Sequence, residues 1–142
     1  MDYYDSFAIS AAGLAVEKLR LETAALNLAN ADATAAPGTE PYKAMRVLNT
    51  PEVSFSHYLA ADGMNGTAVN AQVVPRSEAP RMTYEPGHPH ANAEGFVAHA
   101  NVDSLSEMMT ILRATRAYEA NIKAINAAKA MALHALDIGG SK

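Results

Sequence analysis

The stretch RLETAALNLANADAT, Arg20 to Thr34, decides how this chain is read. It opens as a good helix former, rich in Leu, Ala and Glu. It then spends Asn27 and Asn30 on its last turn and dissolves into small polar residues. Asn competes for backbone hydrogen bonds and belongs at helix ends and turns rather than in helix interiors. The stretch therefore predicts a helix that stops at a defined place and redirects the chain.

Working back from this stop, the helix extends to about Asp5, with Asp5 or Ser6 as its cap. One heptad stripe reads Ile9, Ala12, Val16, Leu19, Thr23, Leu26, Asn30. A second reads Phe7, Leu14, Leu21, Leu28. The first has the spacing of a coiled-coil seam. The second makes the helix apolar over more than one seam, which implies a second set of neighbours or a broad core-facing helix in a compact bundle.

The other end of the chain carries a longer pattern, from about Val102 to Ile138. Its stripe reads Met108, Ile111, Thr115, Tyr118, Ile122, Ile125, Lys129, Ala132, Leu136, flanked by Leu105, Leu112 and Leu133. Asp103 or Ser104 can cap it, Glu107 standing as capping-box partner to Ser104, and Gly139-Gly140 should end it. Asn121 and Asn126 sit off the apolar stripe. A carboxamide in a packed interface costs stability but fixes register. Asn30 is expected to cap its helix, and Asn27 and Asn121 are expected to hydrogen-bond across interfaces.

Between them, residues 31–101 hold all 7 Pro and most of the Gly. Strand-like runs occur at Lys43–Asn49, Val53–Leu59, Ala71–Ser77, Pro80–Pro86 and Gly95–His99. EPGHP reads as a turn centred on Pro86 and Gly87, and Asp62–Gly66 as another turn or loop. The expected organisation is an N-terminal helix at 1–30, a central β-rich and irregular region at 31–101, and a C-terminal helix at 102–142. The fold class is mainly α with a small β insert. Its long terminal helices should form an antiparallel, coiled-coil-like hairpin.

Composition narrows the function. The chain has 142 residues, enough for one domain or a core with an appendage. The formal charge of -4 includes no basic run, which argues against nucleic acid as a partner. With no Cys there is no disulfide framework, thiolate metal site or Cys nucleophile, and an oxidising compartment is allowed. The first residues are acidic at Asp2 and Asp5 and lack Lys or Arg, unlike a cleaved secretory signal. FAISAAGLAV is too short to span a bilayer, which takes about 20 apolar residues, so no direct membrane insertion is expected.

Chemistry-bearing patterns are sparse. His88 and His90 could hold a metal if a third ligand converged, but they lie in a Pro-rich turn with only His57 or His99 to help. Asp103 and Glu107 are a helical turn apart and are better explained by helix-start electrostatics than by paired-carboxylate catalysis. Asn65-Gly66-Thr67 matches a glycosylation tripeptide that is common by chance. No nucleophile elbow, phosphate loop or dinucleotide fingerprint occurs. No enzyme, cofactor or metal is expected.

AAGLAVEKLRLETAALNLANADAT resembles the N-terminal signature of the bacterial flagellar rod and hook proteins. The matching elements are Ala11–Gly13, Arg20-Leu21 and Asn27–Asn30, and Pro41–Val47 is similar to the segment that follows that helix in the family. The C-terminal half resembles the family's proximal-rod subunits in Tyr84–Gly87, Gly95–Val97, Asn101–Asp103, Glu107-Met108, Arg116–Tyr118, Ala120-Asn121, Lys129 and Ile138-Gly139. Ala100 stands where the family usually has Pro, and Pro51–Gly66 matches nothing in it.

The resemblance implies a structural subunit of the proximal rod, exported unfolded by the flagellar type III apparatus and assembled into the periplasmic drive shaft and export channel. It implies as partners the rod proteins FlgB, FlgF and FlgG, the ring-junction protein FliE, and copies of the chain itself. On this reading the assembly contacts fall on Phe7, Leu14, Leu21, Asn27, Leu28, Asn30, Met108, Ile111, Arg116, Tyr118, Asn121, Ile122, Ile125 and Lys129. The terminal zones should be largely disordered or aggregation-prone in the isolated monomer, since bare apolar helices meet their ordering cost on binding. A helical adaptor or chaperone-type binding module is the alternative from the residues alone.

Overall fold

A computed structural model describes residues 3–51 and 69–140, with side chains described at 7–50 and 70–140. Two helices frame the chain: α1 over Tyr3–Ala29 and α2 over Ser104–Gly140. At 1.5 Å per residue they are about 40 and 55 Å long. Between them come β1 (Thr34–Ala35), β2 (Met45–Pro51), β3 (Val69–Pro75), β4 (Arg81–Tyr84) and β5 (Phe96–His99). The chain is thus mainly helical with a small β insert, as its patterning implies.

Helix ends follow local chemistry, with three departures from expectation. α1 begins at Tyr3, ahead of Asp5 and Ser6. At α2 the cap is Asp103, whose carboxylate accepts from Leu105 N–H at 3.2 Å while its carbonyl accepts from Glu107 N–H at 3.0 Å. Ser104 is already helical, so the capping box with Glu107 does not form. Gly139 and Gly140 remain in the helix, since neither takes the left-handed φ of a glycine C-cap.

The expected strands at 43–49, 71–77, 80–86 and 95–99 appear as β2, β3, β4 and β5. Those at Val53–Leu59, and the Asp62–Gly66 turn, lie outside the described residues. β1, only two residues long, had no periodic signal to betray it. The strands form a three-stranded sheet in the order β1-β5-β4 and a two-stranded sheet, β2-β3. β5 pairs antiparallel with both neighbours, so His99 stands opposite Thr34 on one side and Arg81 on the other.

The turn between β4 and β5 is built as the Pro-Gly pair suggested. His88 N–H donates to Glu85 C=O at 3.0 Å across Pro86-Gly87. The chain returns through Asn92, whose side-chain oxygen accepts from both Glu94 and Phe96 N–H. Gly95 closes the return with φ 83°. A Cβ there would lie 2.8 Å from a Tyr84 ring carbon, so the position needs glycine on two counts.

The chain divides into two compact units. One comprises 20–48 and 73–112, and its buried side chains include Ala24, Asn27, Ala31, Ala44, Val97, Ala100 and Glu107. The other comprises 1–19, 49–72 and 113–142, in which Val16, Ala114 and Ala128 are buried. Alanine dominates both lists. Its small side chain allows close approach of backbones but buries little area.

Candidate assembly surface

In the unit of residues 20–48 and 73–112, the Asn-Leu-Ala-Asn end of α1 is a hydrogen-bonded junction. Asn27 is 1% exposed. Its Nδ2 donates to Met45 C=O at 2.8 Å, and its Oδ1 accepts from Met45 N–H at 2.8 Å and from the Tyr42 hydroxyl at 2.9 Å. One carboxamide therefore satisfies both backbone groups at the start of β2. This corrects the expectation that Asn27 bonds across an interface: its carboxamide is spent inside the chain. Asn30 behaves as expected. Its Nδ2 donates back to Leu26 C=O at 2.8 Å, a carbonyl that also accepts from Asn30's own backbone N–H at 3.2 Å in the last turn.

Beside this junction, Arg76 donates from Nη2 to Glu107 Oε1 at 2.9 Å. Glu107 is 2% exposed, so it is a buried carboxylate made tolerable by its guanidinium. This is why it does not serve as a capping-box residue. Burial, with the Glu107 charge adding to it, raises the Tyr42 pKa and holds its hydroxyl in the donating form that Asn27 needs.

Heptad columns on the helices sit one residue from where large side chains suggest. On α2 the half-buried column Ile111, Tyr118, Ile125, Ala132 is the expected one. Its companion is Glu107, Ala114, Asn121, Ala128, not Met108, Thr115, Ile122, Lys129, Leu136, which are all exposed. Asn121 is thus on the inner seam and not off it. In its own unit it packs against Gly13, where an added Cβ would come within 3.0 Å of Asn121 Nδ2. On α1, Val16 and Thr23 are buried as expected, while Leu26 is exposed and its neighbour Asn27 is enclosed.

The physical reason is size. Gly13, Ala24, Ala114 and Ala128 let backbones approach, and the larger apolar residues are displaced to the outside. Leu105, Leu112, Leu136 and Ile138 are 68, 59, 71 and 80% exposed. Of the expected contact residues, Phe7, Leu14, Leu21, Leu28, Ile111, Tyr118 and Ile125 are half-buried. Met108, Arg116, Ile122 and Lys129 are exposed. Tyr42, Arg76 and Glu107 were missed as a group. No periodicity announces them, because they meet through the β insert.

His88 and His90 are engaged locally. Nδ1 of His88 accepts from His90 N–H at 3.0 Å, and Nδ1 of His90 lies 2.9 Å from the Thr34 hydroxyl. Among the described residues no three His, Asp or Glu side chains converge on a metal position. Among them, too, no helix is long and apolar enough to cross a membrane.

Residues 93–138 match the family described as flagellar basal body rod FlgEFG protein C-terminal. The flagellar basal-body rod protein FlgC of Salmonella typhimurium is 40% identical over 134 residues, covering 94% of this chain and 95% of that protein. FlgC of Bacillus subtilis is 36% identical over 149 residues, covering 98% and 99%. FlgC of Borreliella burgdorferi is 29% identical over 149 residues, covering 97% and 98%. These relatives are named for a structural part and not for a reaction. With 36–40% identity to the Salmonella and Bacillus proteins over nearly its whole length, the chain belongs to the flagellar basal-body rod protein FlgC family.

Proposed function

We propose that this chain is a structural subunit of the flagellar basal-body proximal rod, polymerising through its terminal helices into the axial drive shaft and export channel. The observation that carries the reading is the outward display of large apolar side chains on helices whose inner seam is small. Burying one Leu fully is worth roughly 1.5–3 kcal/mol, so Leu105, Leu112, Leu133 and Leu136 together represent a large gain available only from neighbours. A subunit repeating a contact that never closes on itself needs such faces on several sides.

In this reading residues 1–30 and 102–142 form an antiparallel, coiled-coil-like core, with 31–101 carried beside it. Phe7, Leu14, Leu21, Leu28, Met108, Ile111, Arg116, Tyr118, Ile122, Ile125 and Lys129 meet neighbouring subunits, while Asn27, Asn30 and Asn121 set the shape that presents them. The neighbours are further copies, FlgB, FlgF, FlgG and FliE. The chain reaches the periplasmic rod through the type III apparatus. The Asn27 junction anchors the end of α1 internally. Ordering on assembly therefore falls on the helix ends beyond the Gly13–Asn121 contact.

Deleting the gene in its flagellated host and imaging basal bodies tests this. Rings without rod or hook, restored by the wild-type gene, are expected. Intact rods and swimming cells in the deletion strain would overturn it.

A further inference from the structure

Three guanidiniums and one carboxylate surround a cleft of about 160 Å³ in the unit of residues 20–48 and 73–112. Arg20 comes from α1, Arg46 from β2, and Arg76 from just after β3; Glu107, the acidic group, already accepts from Arg76. The lining thus carries a formal charge of +2, from three Arg and one Glu, in a chain whose net charge is -4. Met45 and Val47 add apolar walls, and Leu48 and Val73 are exposed on the same paired strands. The cleft has the size and charge for a single carboxylate side chain delivered on an apolar segment.

The end of α2 is such a segment. Met131, Leu133, Leu136 and Ile138 are all more than half exposed. Asp137 is the one charged residue among 131–140, counting His134 as neutral. Asp137 follows Leu133 by four residues and so lies about 40° from it around the helix, and a surface that covers Leu133 and Leu136 also meets Asp137. A carboxylate buried without a cation costs several kcal/mol, so the covering surface must supply one. The unpaired carbonyls at the end of α2 add about half a negative charge on the same side.

We propose that, in the assembly proposed above and resting on it, the last turns of α2 from one copy dock into the Arg20–Arg46–Arg76 cleft of a second copy. Asp137 enters among the guanidiniums, and Leu133, Leu136 and Ile138 cover Met45, Val47 and Leu48. The contact joins two different surfaces, so it repeats from copy to copy as a rod requires. Arg46 supplies the exposed charge that first meets Asp137, and Arg76 bridges it to Glu107.

The chain has no Cys, so engineered cysteines report without background. Arg46→Cys and Asp137→Cys variants carrying different tags are co-expressed in the deletion strain, and basal bodies are purified and oxidised. A mixed disulfide dimer at least tenfold above either variant alone is expected. Charge reversal gives the second readout. Arg46→Glu and Asp137→Arg should each cut swimming at least twofold, and the double variant should recover most of it. Basal bodies that contain both tagged chains without the mixed dimer would overturn the docking and leave the rod assignment intact. A photo-crosslink from position 46 to a different rod protein would overturn the second copy as occupant. If no basal body contains the wild-type chain, both readings fall.

Discussion

Asn27→Ala is the sharpest perturbation, because sequence and structure assign it opposite consequences. Read from the helix pattern, Asn27 faces a neighbour, and its loss should harm assembly more than the monomer. The structure instead engages both its amide oxygen and its amide nitrogen with Met45 and Tyr42. Alanine there strips partners from one backbone N–H, one backbone C=O and one hydroxyl. Leaving a buried polar group unsatisfied costs about 1–3 kcal/mol each. Met45 and Tyr42 are only half-buried, so water recovers part of this, and a net loss of about 2–4 kcal/mol is expected. At a factor of ten per 1.4 kcal/mol, the Met45 amide should lose roughly 30- to 1,000-fold in hydrogen-exchange protection. The assay is native-state exchange of that amide in the soluble chain, alongside a urea melt followed by circular dichroism. Unchanged protection and an unchanged melt, combined with failed rod assembly, would refute the internal junction and return Asn27 to an interface.

Three further perturbations probe the same packing. Arg76→Ala should cost about 3–5 kcal/mol, discounted for the partial exposure of Arg76, because it leaves Glu107 buried and alone; Arg76→Met with Glu107→Leu should cost less than Arg76→Ala, as a double-mutant urea series would show. Gly13→Val should destabilise by about 1–3 kcal/mol through its clash with Asn121, and Asn121→Ala in the same chain should recover part of that loss in thermal melts. Tyr42 has its pKa raised by burial and by Glu107, so the folded chain binds its proton more tightly than the unfolded one. Its stabilisation is complete below the unfolded value of about 10 and declines as pH rises through the higher folded value. Tyr42→Phe should lower neutral-pH stability by about 0.5–1.5 kcal/mol and flatten that alkaline decline.

Helix and strand positions were legible because each follows from a local rule. Heptad spacing located α1 and α2 to within a few residues, and Pro86-Gly87 located the turn after β4. β1 was not legible, since Thr34 and Ala35 become a strand only by pairing with His99 and Ala98. The Asn27 junction was half legible. Its place in the sequence marked it, but its partners, at sequence separations of 15 and 18, follow from the path of the chain after the helix.

The inner seam was misplaced for an instructive reason. Ranking columns by hydrophobicity assumes that the largest apolar residues face the chain's own core, which holds when a chain folds alone. Here that rule selects Met108, Ile122 and Leu136, and these are the residues left exposed. The inner column, Glu107, Ala114 and Ala128 buried and Asn121 half-buried, scores poorly for hydrophobicity and well for close approach. A chain that keeps its small residues for itself and turns its large ones outward is divided between two demands. The first is an inner seam small enough for close approach, the second an outer surface whose burial comes only from neighbours. Leu136→Asp separates the two. It should leave the monomer melt within about 0.5 kcal/mol of wild type, as exposed positions do, yet abolish rod assembly. An equal loss in the monomer melt would mean that Leu136 belongs to the chain's own core, and the division would fail.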